Sequence, residues 1–262
     1  MISKLTRLAA EVYASRSVLG RLVRQQLILR YRRTVLGYLW TLVNPLLMMS
    51  VMAMVFATIF KEDVKVFAIF LFAGMIPWNC FNSIVVQSGG AFINNEGLIK
   101  KIYIPKILFP LSVSLGVFID SILSFFALFA IILAVGGKVS TALFFVPVAY
   151  ILLFLFSFGV GLVFSVATVF FRDLQYVIQI AMQGLFFLTP VLYKRDVLTG
   201  GVSNLVALNP VVPFIELFRA PLFQARMPSD DVILQASLLS IVSIILGLAV
   251  LLGQEKKVVF RL

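Results

Sequence analysis

The sequence predicts an all-α integral membrane protein of six transmembrane helices with both termini in the cytoplasm. Three observations predict it. Hydrophobic residues make up 61% of the 262 positions and charged residues 13%, against roughly 45–50% apolar and about 25% charged in a soluble domain. Apolar runs close to the roughly 20 residues that cross a hydrocarbon core recur six times, at 35–60, 66–90, 107–135, 143–170, 174–193 and 232–252. In lipid each backbone polar group must be satisfied within its own segment, so these runs read as helices. Finally, fifteen of the 22 Lys and Arg fall on the side of the N-terminus: eight before residue 34, then Lys100, Lys101, Lys106, Arg172, Lys256, Lys257 and Arg261. That asymmetry sets the orientation. Only four acids share that side (Glu11, Glu96, Asp173 and Glu255), so the whole net charge of +11 lies there. It faces the anionic inner leaflet, and nucleic acid is not needed to explain it.

The chain reads as one permease domain, 1–262, beginning with a cytoplasmic segment, 1–34. The first 33 residues are too long and too polar for the n-region of a cleavable signal peptide. Residues 16–33 place Arg21, Arg24, Gln25 and Arg32 on one helical side and Val18, Leu19, Leu22, Val23, Leu27 and Leu29 on another. An amphipathic basic helix of this kind lies in the membrane interface, bound to lipid. Tyr38 and Trp40 follow at headgroup level, where such rings anchor. Asn44-Pro45 frees a backbone carbonyl near the start of span 1. Met49, Met52, Phe56 and Phe60 recur along that span.

The cytoplasmic connection between spans 2 and 3, FINNEGLIKKIYIPKILFP (92–110), holds a short helix. Asn94 or Asn95 is placed to cap it, with Glu96 near its positive end. Lys100, Lys101 and Tyr103 complete a segment suited to docking another protein. Asp120 is the one carboxylate well inside a span, beside Ser121 and Ser124, and reads as an interhelical hydrogen-bonding group. Arg172-Asp173 marks a tight turn closed by an ion pair. In span 5, Gln175, Gln179 and Gln183 share one side, continued by Phe186, Phe187 and Tyr193 with Pro190 between. Amides both donate and accept hydrogen bonds, so this lane suits a passing glycan better than a small ion. Residues 194–231 carry no net charge and are broken by Pro210, Pro213 and Pro221. Gly200-Gly201 makes a turn, and Asn209 with Pro210 starts a helix. The expected form is a re-entrant hairpin on the extracytoplasmic side, an outer gate formed by Asn209, Pro210, Pro213, Glu216 and Arg219.

The chain contains no histidine and a single cysteine, Cys80. Disulfide frameworks, His-based metal sites and histidine general bases are thereby removed. With no P-loop the chain holds no nucleotide by that motif, and no metal or cofactor is expected in it. A conduit without a coupling-ion relay needs an outside motor. The competing readings are a membrane-integral enzyme or an ion-coupled carrier acting on lipid-linked sugars.

Four blocks, RYRRTVLGYLWTLVNPLL (30–47), IPWNCFNSIVVQSGGAFINNEGLIKKIYIPK (76–106), FFRDLQYV (170–177) and LNPVVPFIELFRAPLF (208–223), resemble the permease subunits of ABC-type bacterial polysaccharide exporters. Those subunits export lipid-linked O-antigen, teichoic acid or capsule across the cytoplasmic membrane. The resemblance implies a homodimer with two copies of a separate ATPase subunit, which would carry the ATP and Mg. It implies a glycan channel lined by spans 1 and 5, through Met52, Phe56, Phe60, Gln179, Gln183, Phe186, Phe187 and Tyr193. Arg30, Arg32 and Arg33, with Tyr38 and Trp40, would then meet the pyrophosphate of the substrate, and Asn94, Asn95, Glu96, Lys100, Lys101 and Tyr103 the ATPase. The 200–223 hairpin would close the outer end.

Overall fold

A computed structural model describes residues 2–31, 36, 39–134, 140–195 and 200–262. Among the described residues the chain forms α-helices and two short 3-10 turns, with no strands. The N-terminal segment is two helices, α1 (Ile2–Ala14) and α2 (Arg16–Tyr31), with Ser15 between them. Leu22 is buried, while Arg21, Arg24 and Gln25 are exposed, matching the predicted polar side. α3 (Trp40–Phe60) ends at Lys61, whose φ of 55° turns the chain out of the helix. α4 (Val64–Gly89) starts on Asp63, whose carboxylate accepts from the amides of Lys65 (2.9 Å) and Val66 (3.2 Å). That satisfies two donors no helical carbonyl can reach. The short α5 (Glu96–Lys101) and then α6 (Leu108–Ala134), α7 (Val146–Phe170), α8 (Leu174–Leu188), α9 (Gly201–Leu208), α10 (Val212–Leu222) and α11 (Asp230–Arg261) complete the chain.

Among the described residues, four helices are long and apolar enough to cross a membrane: α4, α6, the continuous 141–170 stretch, and α11. Leu46–Phe60 within α3 and the whole of α8 are apolar but shorter. α9 and α10 form a pair bent by 87°. Two predicted boundaries change. The 174–193 span is helical only to Leu188, because Pro190 drives the residue before it out of the α region; Thr189 has ψ 128°. At 1.5 Å per residue α8 is about 22 Å long, short of the roughly 30 Å core. The 232–252 span instead lengthens to 32 residues in α11, about 48 Å, so it reaches beyond a bilayer.

α4 is the central helix, packed against α3, α6, α7, α8 and α10. Its buried side includes Phe67, Phe70, Leu71, Trp78, Phe81 and Ile84. A second apolar cluster at the α5 end gathers Leu22, Phe92, Ile99, Leu108, Val258 and Leu262.

The closest helix pair is α7 with α11. Lipid tails give no hydrophobic drive between helices, so close packing of small residues supplies the attraction. A Cβ on Gly159 would stand 2.5 Å from the Ser243 carbonyl oxygen, and one on Gly247 the same distance from Gly159 O. Ser243 Oγ donates to Phe156 O (3.0 Å), and Ser240 Oγ lies 2.9 Å from Leu152 O. The two backbones therefore touch, tied by hydroxyl-to-carbonyl bonds where neither helix has water.

Candidate functional site

The end of the bundle that carries the bent pair α9–α10 is built around the break after α8. Ending a helix in an apolar setting strands its last carbonyls. Thr189 Oγ1 turns back to Leu185 O (2.7 Å), and Asn209 Nδ2 donates to Leu188 O (3.2 Å) and to Thr189 Oγ1 (2.8 Å). Asn209 Oδ1 in turn accepts from the Val211 amide at 2.9 Å. Asn209 is thus a buried clasp between the end of α8 and the start of α10. α10 itself begins at Val212, so Pro210 sits in the exposed turn and Pro213 in the first helical turn. The helix start expected at Pro210 moves two residues along because Asn209 spends its oxygen on closing the turn.

Arg219 is the buried charge of this end, 2% exposed. Its Nη2 donates to Val191 O at 2.7 Å, and its guanidinium carbon stands 4.0 Å over the Phe70 ring. Gly74 makes the room: a Cβ there would lie 2.9 Å from Nη2. Half-buried Glu216 is 4.0 Å from Nη1, at the limit of an ion pair. The Nε has no hydrogen-bond partner among the described residues. An arginine in this position holds the unwound 189–193 stretch against α4 and α10 together. α10 is further seated by Phe214 stacked on Phe156 (4.5 Å) and Phe218 edge-on to Tyr150 (4.8 Å). An ion pair between Lys194 and Glu62 ties the stretch after α8 to the loop after α3.

The two aromatic lanes lie on different helices, α3 and α8, each packed against α4. On α3, Met52 and Phe56 are half-buried and Phe60 is exposed, with Phe56–Phe60 and Phe60–Phe67 contacts at 6.1 and 5.8 Å. Met49, read as part of that lane, is buried instead. On α8, Gln179 and Gln183 are exposed and Phe187 is 69% exposed, while Phe186 turns inward onto Trp78 (5.4 Å). Tyr193 donates to Phe187 O at 2.9 Å. A single chain therefore presents two separate polar-aromatic faces rather than one lined bore. Trp40 and Asn44 are exposed at the start of α3. Arg32, Arg33 and Tyr38 lie outside the described residues, as does the side chain of Arg30, which falls in the last turn of α2.

At the other end, Asn95 stands at the start of α5 without capping it; its Nδ2 donates back to Ala91 O at 2.8 Å. Asn94 is exposed. Lys100 bonds both Glu96 (2.6 Å) and the backbone oxygen of Leu262 (2.9 Å). The Lys100 hydrogen bond and charge hold the Glu96 carboxyl below its ordinary pKa. Lys101 is exposed and Tyr103 is 77% exposed, with Lys106 Nζ 4.7 Å over its ring. Beside Tyr103 a groove of about 860 Å³ runs between α1 and the end of α11, lined by Arg7, Glu11, Glu255 and Phe260 among others. Arg172 and Asp173 are both exposed and form no ion pair with each other among the described residues, so exposure leaves the expected closure of that turn to backbone bonds such as Gln175 N to Arg172 O (3.3 Å).

Sequence reasoning missed Phe70, Gly74, Val191 and the Lys194–Glu62 pair. A backbone carbonyl and a ring face carry no residue signature for an arginine partner. The one readable signal was Thr189-Pro190, which marks where the helix must stop.

Residues 18–223 match the family of ABC-2 type transporter membrane proteins. The chain is 29% identical over 238 residues to an O-antigen export system permease protein of Myxococcus xanthus, covering 90% of this chain and 92% of that one. It is 30% identical over 202 residues to an O-antigen export system permease protein of Klebsiella pneumoniae, 76% of this chain and 77% of that one. A polysialic acid transport protein of Escherichia coli matches at 24% over 235 residues, 87% and 89% of the two chains.

Proposed function

The chain belongs to the ABC-2 type transporter family, and from that premise we propose that it forms the membrane conduit of an ATP-driven exporter of lipid-linked polysaccharide. The observation that carries this reading is similarity to an O-antigen export permease along 90% of the chain. Two copies would face each other in a bacterial inner membrane, each with a cytoplasmic ATP-binding subunit. In this reading α3, α4, α6, α7, α8 and α11 supply six spans with both ends cytoplasmic, and the turn residues 189–193 follow α8 towards the outer side. The glutamine and aromatic faces of α3 and α8, on different helices in one chain, become opposing walls once two chains meet. Arg30, Arg32 and Arg33 gather the substrate pyrophosphate, for which arginine's planar fork is suited. The hairpin α9–α10 closes the outer end.

The ATP-binding subunit docks on α5 and the exposed residues beside it. Lys101 and Tyr103 are exposed, and surface changes of this kind usually alter stability by no more than about 0.5 kcal/mol. Lys101→Glu with Tyr103→Ala therefore leaves the permease inserted and folded but lowers recovery of the ATP-binding subunit on co-purification, and polysaccharide export with it. Undiminished co-purification and export would remove α5 from the docking surface. If no ATP-binding subunit accompanies even the unaltered chain, the exporter reading itself fails.

A further inference from the structure

A cavity of about 360 Å³ opens between α3, α4 and α6. Its lining mixes polar residues, Asn44 on α3, Asn79 and Ser83 on α4 and Asp120, Ser121 and Ser124 on α6, with the methionines Met48, Met49 and Met52 of α3 and Met75 of α4. Ser83 lies 19 residues along α4, so the recess reaches from near the middle of the bilayer towards the α5 end. At that depth polar side chains are costly and are kept where they face a cavity or a partner. Ser124 Oγ bonds Asp120 O within α6 (2.9 Å), and Ser121 lies 3.4 Å from the Tyr150 hydroxyl. Asn79 and Ser83, one turn apart on α4, line the cavity, and their side chains make no hydrogen bond among the described residues. On the lining of the recess, half-buried and bonded to no described residue, this amide and this hydroxyl are open to an occupant.

We infer that the recess is a subsite for one neutral saccharide unit of the exported chain. Its volume is in the range of ligand pockets, about 300–1,000 Å³, and its lining combines polar side chains with apolar ones. Asn79 offers two donors and an acceptor, and Ser83 one donor and an acceptor, the mixture that neighbouring sugar hydroxyls answer. The methionine side chains are unbranched and adapt to an irregular surface, as an apolar ring face demands. A phosphate is not the occupant, because the lining includes a carboxylate and no cation. This rests on the exporter reading and names where the glycan is held within it.

The test uses the permease with its ATP-binding partner in lipid vesicles and the variant Ser83→Cys. The neutral reagent hydroxyethyl methanethiosulfonate should label that cysteine faster than Cys80, which also lines the recess but is 2% exposed, so labelling of the unaltered protein is subtracted. Free neutral hexoses and N-acetylhexosamines are then added as probes. A sugar at about nine times its Kd leaves about a tenth of the sites open by mass action, so labelling slows about tenfold. Asn79→Cys, read the same way, serves if Ser83→Cys does not fold. Absence of labelling at both positions, labelling that no sugar slows, or protection by sodium ions instead would each overturn the subsite. Failure of the unaltered complex to move any polysaccharide would instead strike the exporter reading, whatever the labelling.

Discussion

Replacing Arg219 with leucine leaves a permease that inserts and binds its partner but no longer holds its hairpin end shut. The substitution removes the bond from Nη2 to Val191 O and the cation over Phe70. Losing a buried partner leaves the Val191 carbonyl unsatisfied, a cost of about 1–3 kcal/mol. Relief of the buried charge works the other way, but leucine cannot answer the carbonyl. Before that relief is subtracted, about 1–3 kcal/mol corresponds to at most roughly a 5- to 150-fold shift in a two-state equilibrium, here between seated and loosened α10. Hydrogen exchange at the amides of 189–193 and of α10 should accelerate by up to that factor, and vesicles should leak a small dye without substrate. Arg219→Lys keeps the charge but not the planar fork, and should fall between the two. Exchange and leakage equal to the unaltered protein would show that Arg219 carries no part of the closure.

Gly159→Leu is expected to break the α7–α11 pair. Even a Cβ there meets the Ser243 carbonyl oxygen at 2.5 Å, and backbone cannot rotate aside as a side chain can. Overpacking costs about 1–3 kcal/mol and sometimes more, a large share of a total stability of about 5–15 kcal/mol. Thermal unfolding in detergent should move down by about 2–4 °C for each kcal/mol lost. Gly20→Ala is the control, since nothing lies within 4 Å of a Cβ there. Equal unfolding temperatures for Gly159→Leu and the unaltered chain would mean that the two helices separate at little cost.

Much of this architecture is legible in the chain. Apolar length placed α4, α6 and α7 to within a few residues, since hydropathy reports the very property the bilayer selects. The prolines and Gly200-Gly201 announced the broken helix pair α9–α10, and the 92–110 connection its short helix α5. What stayed hidden depends on partners distant in sequence. Hydropathy carried span 5 on to residue 193 because Val191 and Leu192 are apolar, although Pro190 had already ended the helix. Arg219 counted as one charge of a neutral outer segment, and nothing in residue type reveals that it is buried against a carbonyl 28 residues away. Gly159 and Gly247 look like ordinary membrane glycines until the fold sets one against the other. Likewise Asn79 and Ser83 look unremarkable within block 76–106, and only the placing of α3 and α6 gives them a shared recess.

One measurement bears on the central claim, that this chain is a conduit driven by a separate ATP-hydrolysing subunit. Lipid-linked polysaccharide is loaded on one face of vesicles holding the purified chain, with or without the ATP-binding subunit, and its arrival on the other face is followed. The account predicts movement only when the second subunit and ATP are both present. Movement by the chain alone, at the same rate and without ATP, would contradict it.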